Sequence, residues 1–197
     1  ATLEALLGRV EALLGRDDGA RRLYRELAFN FALDGGDARQ VLERGRAYLR
    51  HGGGASSMAL HLAREMTSHG HGEAALALLA EATGSSAEER ALLLHGQATL
   101  LVAMGRWEEA RQAINRGLQL LPGTSPRRAL LFRSQEEIYR RQDRLRELIR
   151  EYEAGRHGRR GAREQGRLYG EVGELALAEE RYRQALARSP RDQEVLR

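Results

Sequence analysis

The chain has 197 residues and a mass of 22.0 kDa, room for one compact domain or for several short repeats. All 32 basic residues are Arg, so the pI near 9.9 overstates a formal charge of only +4, well short of the dense basicity of a nucleic-acid domain. With no cysteine, structural disulfides, cysteine nucleophiles and Cys-based zinc sites are excluded, and the longest apolar run, "AALALLA" (Ala74 to Ala80), is too short to span a bilayer.

Apolar side chains recur at three- and four-residue spacing along almost the whole chain, in blocks of about a dozen residues. No Val-, Ile- or Thr-rich run alternates with period two, so strands are not expected. The blocks are separated by "GRDDG", "DGGD", "HGGGASS", "SHGHG", "TGSSAEE", "PGTSP" and "GRHGRRG", which predicts about ten short helices joined by tight turns. In chain order, Asp37 with Gln40 and Ser86 with Glu89 have capping-box spacing, and Ser125 precedes a proline suited to a first helical position. Pro122 and Pro190 each follow a long amphipathic run and mark helix ends.

The chain also repeats itself. Ala110, Ile114 and Pro122 return as Ala178, Tyr182 and Pro190, each 68 residues on, twice the 34-residue period of a helix–turn–helix repeat. Ala75 and Leu79 stand 35 residues before Ala110 and Ile114. On these residues the sequence resembles the tetratricopeptide repeat family, whose pattern sets a large residue at position 4, Leu at 7, small residues at 8, 20 and 27, aromatics at 11 and 24, and Pro at 32. A repeat begun at Ala91 places Leu94, Gln97, Ala98, Leu101, Ala110, Ile114, Gly117 and Pro122 there. One begun at Arg159 places Ala162, Gln165, Gly166, Tyr169, Ala178, Tyr182, Ala185 and Pro190, and one begun at Ser56 places Ala59, Leu62, Ala63, Met66, Ala75, Leu79 and Ala82.

Between the two best matches, "EEIYRRQDRLRELIREYEAG" fits with Tyr139 at position 11 and Tyr152 at 24, shifted about four residues by the longer "PGTSP" loop. A first repeat from about Arg21 to Leu49 matches poorly, because Gln40 and Arg44 fall where a small residue and an aromatic belong. The resemblance implies an all-α, right-handed superhelical solenoid of stacked helix–turn–helix repeats. Its expected divisions are 1–20 (a cap or the helix of a preceding repeat), 21–55, 56–90, 91–124, 125–158 and 159–192, with 193–197 opening a further helix. Trp107 is expected in the seam between helices.

No phosphate loop, nucleophile elbow or metal-ligand helix pattern occurs, so neither an enzyme nor a cofactor is expected. His69 and His71 lie on a turn with no third ligand near in sequence, which makes a solvated turn the better reading than a metal site. The resemblance places binding on the first helix of each repeat. By register, the expected groove residues are His61, Arg64 and Thr67; Leu92, His95 and Thr99; Arg133, Glu137, Arg140 and Arg141; and Arg160, Arg163 and Arg167. The family's clamp for chaperone tails is not reproduced, since Phe29, Leu92 and Gly96 stand at its positions and only Arg25 could match. The Arg-rich second half of the groove suits a carboxylate-bearing peptide. The expected function is therefore a protein-interaction scaffold, with an acidic segment as partner. Two alternatives stand beside it: nucleic-acid binding through the arginines, and a helper array attached to a larger bacterial enzyme or to envelope export or assembly machinery. The all-Arg, Ala- and Gly-rich composition suggests a bacterial source, and a chain that opens at Ala1 reads as a piece of a longer protein, cytoplasmic or periplasmic.

Overall fold

The computed structural model describes residues 9–10, 13–14, 18–51, 55–155 and 161–188. Among these residues every regular element is a helix: α1 (Asp18–Gly35), α2 (Ala38–His51), α3 (Ser56–Ser68), α4 (Gly72–Glu81), α5 (Ala87–Ala103), α6 (Trp107–Leu120), α7 (Arg127–Arg141), α8 (Leu145–Glu153), α9 (Ala162–Glu171) and α10 (Leu175–Arg188). They form five antiparallel hairpins, the arrangement of an α-solenoid. The chain divides into two compact units, Ala1–Leu121 with the first three hairpins and Pro122–Arg197 with the last two. Most of the expected 1–20 segment, Arg160, Pro190 and the 193–197 stretch lie outside the described residues.

The turn inside a hairpin is built the same way four times. His71 N donates to Met66 O at 2.8 Å, Arg106 N to Leu101 O at 2.8 Å, Arg144 N to Tyr139 O at 2.8 Å, and Glu174 N to Tyr169 O at 2.9 Å. This closing bond of a Schellman turn needs one residue with left-handed backbone. Gly70, Gly105 and Gly173 supply it at φ 85°, 74° and 81°, and Asp143, a residue type that tolerates the region, supplies it at 55°. The four acceptors mark one repeat position, and the steps between them are 35, 38 and 30 residues. The long step is the "PGTSP" loop and the short one follows it.

Helix starts follow the side chains. Gln40 N donates to Asp37 Oδ1 at 2.8 Å and Asp37 N to Gln40 Oε1 at 3.3 Å, a complete capping box on α2. On α5, Glu89 N donates to Ser86 Oγ at 3.1 Å, but the Glu89 carboxylate accepts from Ser85 N and Ser85 Oγ, both at 2.8 Å. The box is thus shared between two serines. Ser125 Oγ accepts from Arg127 N at 3.3 Å beside Pro126.

In the first unit, the first helices α3 and α5 pack together, as do the second helices α2 and α4, and α4 also packs on α5. The core joins Phe29, Val41, Leu62, Met66, Ala75, Leu78, Leu79 and Leu93. Gln97, at a position that usually holds Leu, donates to Leu79 O at 3.1 Å and satisfies a carbonyl in the last turn of α4. Trp107 is only half-buried at the first position of α6, so it flanks the seam and does not fill it.

The first hairpin explains its weak match to the pattern. Its buried residues are Tyr24, Ala28, Phe29 and Leu33 on α1 and Val41, Gly45, Tyr48 and Leu49 on α2. Of these, Phe29, Val41, Gly45 and Tyr48 fall on the pattern's small and aromatic positions in a register one residue later than a start at Arg21. Large and small are exchanged relative to the last hairpin. There Gly166 lies under the Tyr182 ring, where a Cβ would come within 2.9 Å; here Phe29 lies over Gly45, whose Cβ would meet its ring at 3.5 Å. Gln40 and Arg44 are one position off the buried row. Leu27 and Phe31 face solvent.

In the second unit, α8 packs on both α7 and α9, and α9 on α10. Phe132 and Tyr152 meet edge-on at 5.8 Å, and Tyr152 Oη donates to the fully buried Gln135 Oε1 at 3.0 Å.

Candidate functional site

The first helix of each hairpin carries the expected binding residues, and the two units place them in different electrostatic surroundings. In the first unit, His61 and Arg64 are exposed one turn apart on α3, with Thr67 half-buried beyond them; its hydroxyl donates to Ala63 O at 2.7 Å. On α5, Leu92 and His95 are half-buried and Thr99 is exposed, its hydroxyl donating to His95 O at 3.0 Å. Gly96 sets how closely these two helices approach: a Cβ there would lie 2.2 Å from Leu60 Cδ2. Burial holds the His95 imidazole below its ordinary pKa, so it is neutral near pH 7. Arg64 makes no contact with an acid among the described residues, so its charge is open to a ligand.

The register adds a row not expected from sequence. Leu23, Leu27 and Phe31 of α1 are 58, 59 and 57 % exposed, and Leu27 stands where His61 stands on α3. The signal was present in the sequence as an apolar i, i+4, i+8 row.

In the second unit four of the expected arginines, Arg140, Arg141, Arg163 and Arg167, are paired with glutamates. Glu137 accepts from Arg140 at 2.9 Å and from Arg141 at 2.7 Å, Arg140 also donates to Glu171 at 2.9 Å, and Arg167 pairs with both Glu171 and Glu136. The result is a ladder of alternating sign, Arg141–Glu137–Arg140–Glu171–Arg167–Glu136, running from α7 to α9. Donation from Arg141, then from Arg140, keeps Glu137 below the usual carboxylate range. Arg140 is raised, chiefly by its bond to Glu171. Burial works against the charge on Arg167, and Glu136 and Glu171 outweigh it, leaving Arg167 raised. Arg163 pairs with Glu164 at 2.9 Å. Arg133 is exposed and, like Arg64, has no acid of this chain against it among the described residues. Arg160 lies outside the described residues.

Glu136 and Glu171 are the residues that sequence reasoning missed. Arg140 to Glu171 and Glu136 to Arg167 are both separations of 31 residues, close to one repeat. Arg106 to Glu73, at 33, and Arg46 to Glu81, at 35, stitch neighbouring hairpins in the first unit in the same way. Opposite charges about one repeat apart are the signal, weak singly and legible as a set.

Among the described residues no group of three or more His, Asp or Glu could hold a metal ion, and no helix is long and apolar enough to cross a membrane. His69 instead ends α3, with Nδ1 2.9 Å from Glu65 O and Nε2 3.6 Å from Asp34.

These features define a class: a repeat array of helical hairpins that presents a polar first-helix face. No protein-family model matches the chain, and no curated protein does. Among solved structures, one described as the crystal structure of MamA protein is similar at 15 % identity and a TM-score of 0.47, covering 89 % of this chain and 96 % of that one. A second, described as the crystal structure of MamA, is similar at 15 % identity and a TM-score of 0.46, covering 84 % and 96 %.

Proposed function

We propose that the chain is a protein-interaction scaffold whose first-helix face takes up a segment of another protein. The observation that carries this reading is the α3–α5 face, where exposed His61, Arg64 and Thr99 surround half-buried Leu92 and His95. A neutral imidazole, a hydroxyl and an uncompensated guanidinium over a partly apolar floor can hydrogen-bond an extended or helical backbone and pair with one of its carboxylates. The segment carries an acidic residue opposite Arg64, and Arg133 plays the same part in the second unit. The exposed Leu23, Leu27 and Phe31 give the first unit apolar surface for side chains next to the acidic one.

A protein segment suits this face better than a nucleic acid does. Phosphate binding along the array needs a row of cations without internal counter-ions, and Arg140, Arg141, Arg163 and Arg167 each contact a glutamate. The test is a peptide-display selection on the full chain. The selected peptides should be enriched in Asp or Glu beside apolar residues, and Arg64→Glu should weaken them about tenfold or more, the equivalent of about 1.4 kcal/mol. Arg183→Glu, on α10, should leave them unchanged. A selection that yields no binder, or equal losses in both variants, rejects the reading.

A further inference from the structure

We propose that the seam between the last two hairpins is an electrostatic hinge: α9 turns about its packed contact with α8, and the α7–α9 ion ladder latches it shut. This stands apart from whatever the first-helix face binds.

The comparison is with the seam between α3 and α5. There the position-8 residues are Ala63 and Ala98, both buried, the helices pack directly, and Leu60 sits in the notch left by Gly96. Such a seam closes by apolar contact, which salt does not screen. In the second unit the residue at the same place on α7, three before the turn acceptor Tyr139, is Glu136, only 3 % exposed. A carboxylate there cannot receive a neighbouring apolar helix; its paired charge on α9 is Arg167. The backbones of α7 and α9 make at most glancing contact. A cleft of about 650 Å³ opens at the turn end of this seam, where Arg140, Asp143, Leu145 and Arg146 of the α7–α8 hairpin face Glu171 and Val172 at the end of α9.

The opposite side is held differently. There α8 and α9 pack together, Leu148 and Leu168 are fully buried, and Tyr169 Oη donates to Glu153 at 2.6 Å. One side therefore has a packed apolar contact beneath its own ion pairs, Arg146 with Glu174 and Arg181 with Glu153, whereas the other is bridged only by side chains of which all but Glu136 are partly in water. Screening acts on those pairs, since the Debye length falls from about 8 Å at physiological ionic strength to about 3 Å at 1 M. The latch loosens with salt while the pivot holds.

The chain contains no cysteine, so paired spin labels can be placed cleanly. Leu130→Cys on α7 and Gly170→Cys on α9 are exposed positions outside the ladder, and a Cβ at residue 170 meets nothing within 4 Å. Ser57→Cys and Ala103→Cys report the α3–α5 seam of the same full-length protein. Pulsed dipolar distances are compared at about 0.05 M and about 1 M salt. The α7–α9 distribution should move to longer distance by more than its low-salt width, and the control should not move. Glu171→Gln should show at low salt the distribution that the unsubstituted ladder shows at high salt, with helix content unchanged. An α7–α9 distance insensitive to both salt and Glu171→Gln overturns the hinge, as does an equal shift in the control pair.

Discussion

The exchange of large and small residues in the first hairpin can be tested by a double-mutant cycle on Phe29 and Gly45. Phe29 is 1 % exposed, lies in the core of the first unit and meets Tyr48 with ring centroids 6.2 Å apart. Phe29→Ala removes that ring and leaves a void that neighbouring helices only partly fill, at a cost of about 3–5 kcal/mol. Gly45→Phe in the native background drives a second ring into space where a Cβ already has Phe29 Cε2 at 3.5 Å and two Leu78 methyls at 3.7 Å. The overpacking costs about 1–3 kcal/mol, offset by a few tenths from the better helix propensity. Together, the two changes reproduce the small-under-large arrangement of Gly166 and Tyr182, so the double variant should be about 1–3 kcal/mol more stable than the sum of the singles. Urea denaturation of the full chain followed by far-UV circular dichroism, with midpoints and slopes fitted for all four proteins, measures this coupling. Additivity within about 0.5 kcal/mol would refute the register and the packing argument built on it.

Three further outcomes follow from the same contacts. Arg167→Ala leaves the buried Glu136 without its guanidinium and should cost about 1–3 kcal/mol, the lower range reflecting a half-exposed arginine, whereas Arg141→Ala at a solvated pair should cost under about 0.5 kcal/mol in the same denaturation experiment. Because burial lowers the folded pKa of His95, the native state resists protonation there. Stability contributed by the neutral ring is complete above the unfolded value near 6.5 and declines as pH falls through it, so thermal melts between about pH 7.5 and 5.5 should steepen in the native protein and flatten in His95→Gln; equal slopes would count against it. Asp37→Ala should remove the Gln40 N to Asp37 Oδ1 bond of the α2 capping box, leaving the backbone N–H of residue 37 to Gln40, and lower stability by about 1 kcal/mol; a loss below about 0.3 kcal/mol would mean the cap is not formed in solution.

Much of the fold was legible because it rests on local rules. Amphipathic blocks, Gly punctuation and the 68-residue return of Ala, an apolar residue and Pro all follow from hairpins that bury one face against the next. The turn at Tyr139 was readable despite its shift, since an aromatic before a polar turn survives a longer loop. The first hairpin was less legible, because Phe29 over Gly45 satisfies the same volume as Gly166 under Tyr182 with the sizes inverted, and a pattern of residue types does not see a sum of volumes. The first-helix positions came from register alone. Which arginines carry open charge did not, because pairing across repeats depends on side chains about 31 residues apart reaching one another in space. Arg64 and Arg167 look alike in the sequence; one faces water and the other is bound to Glu136.

The central claim is that the first-helix face is where another protein's segment lies. Backbone amide chemical-shift mapping of the isotope-labelled chain, titrated with an acidic peptide obtained by display, tests it most directly. Perturbations should cluster on α3 and α5 around His61, Arg64, Leu92, His95 and Thr99, and vanish in Arg64→Glu. Perturbations confined to the second helices, α4 and α6, or spread evenly over the chain, would contradict it.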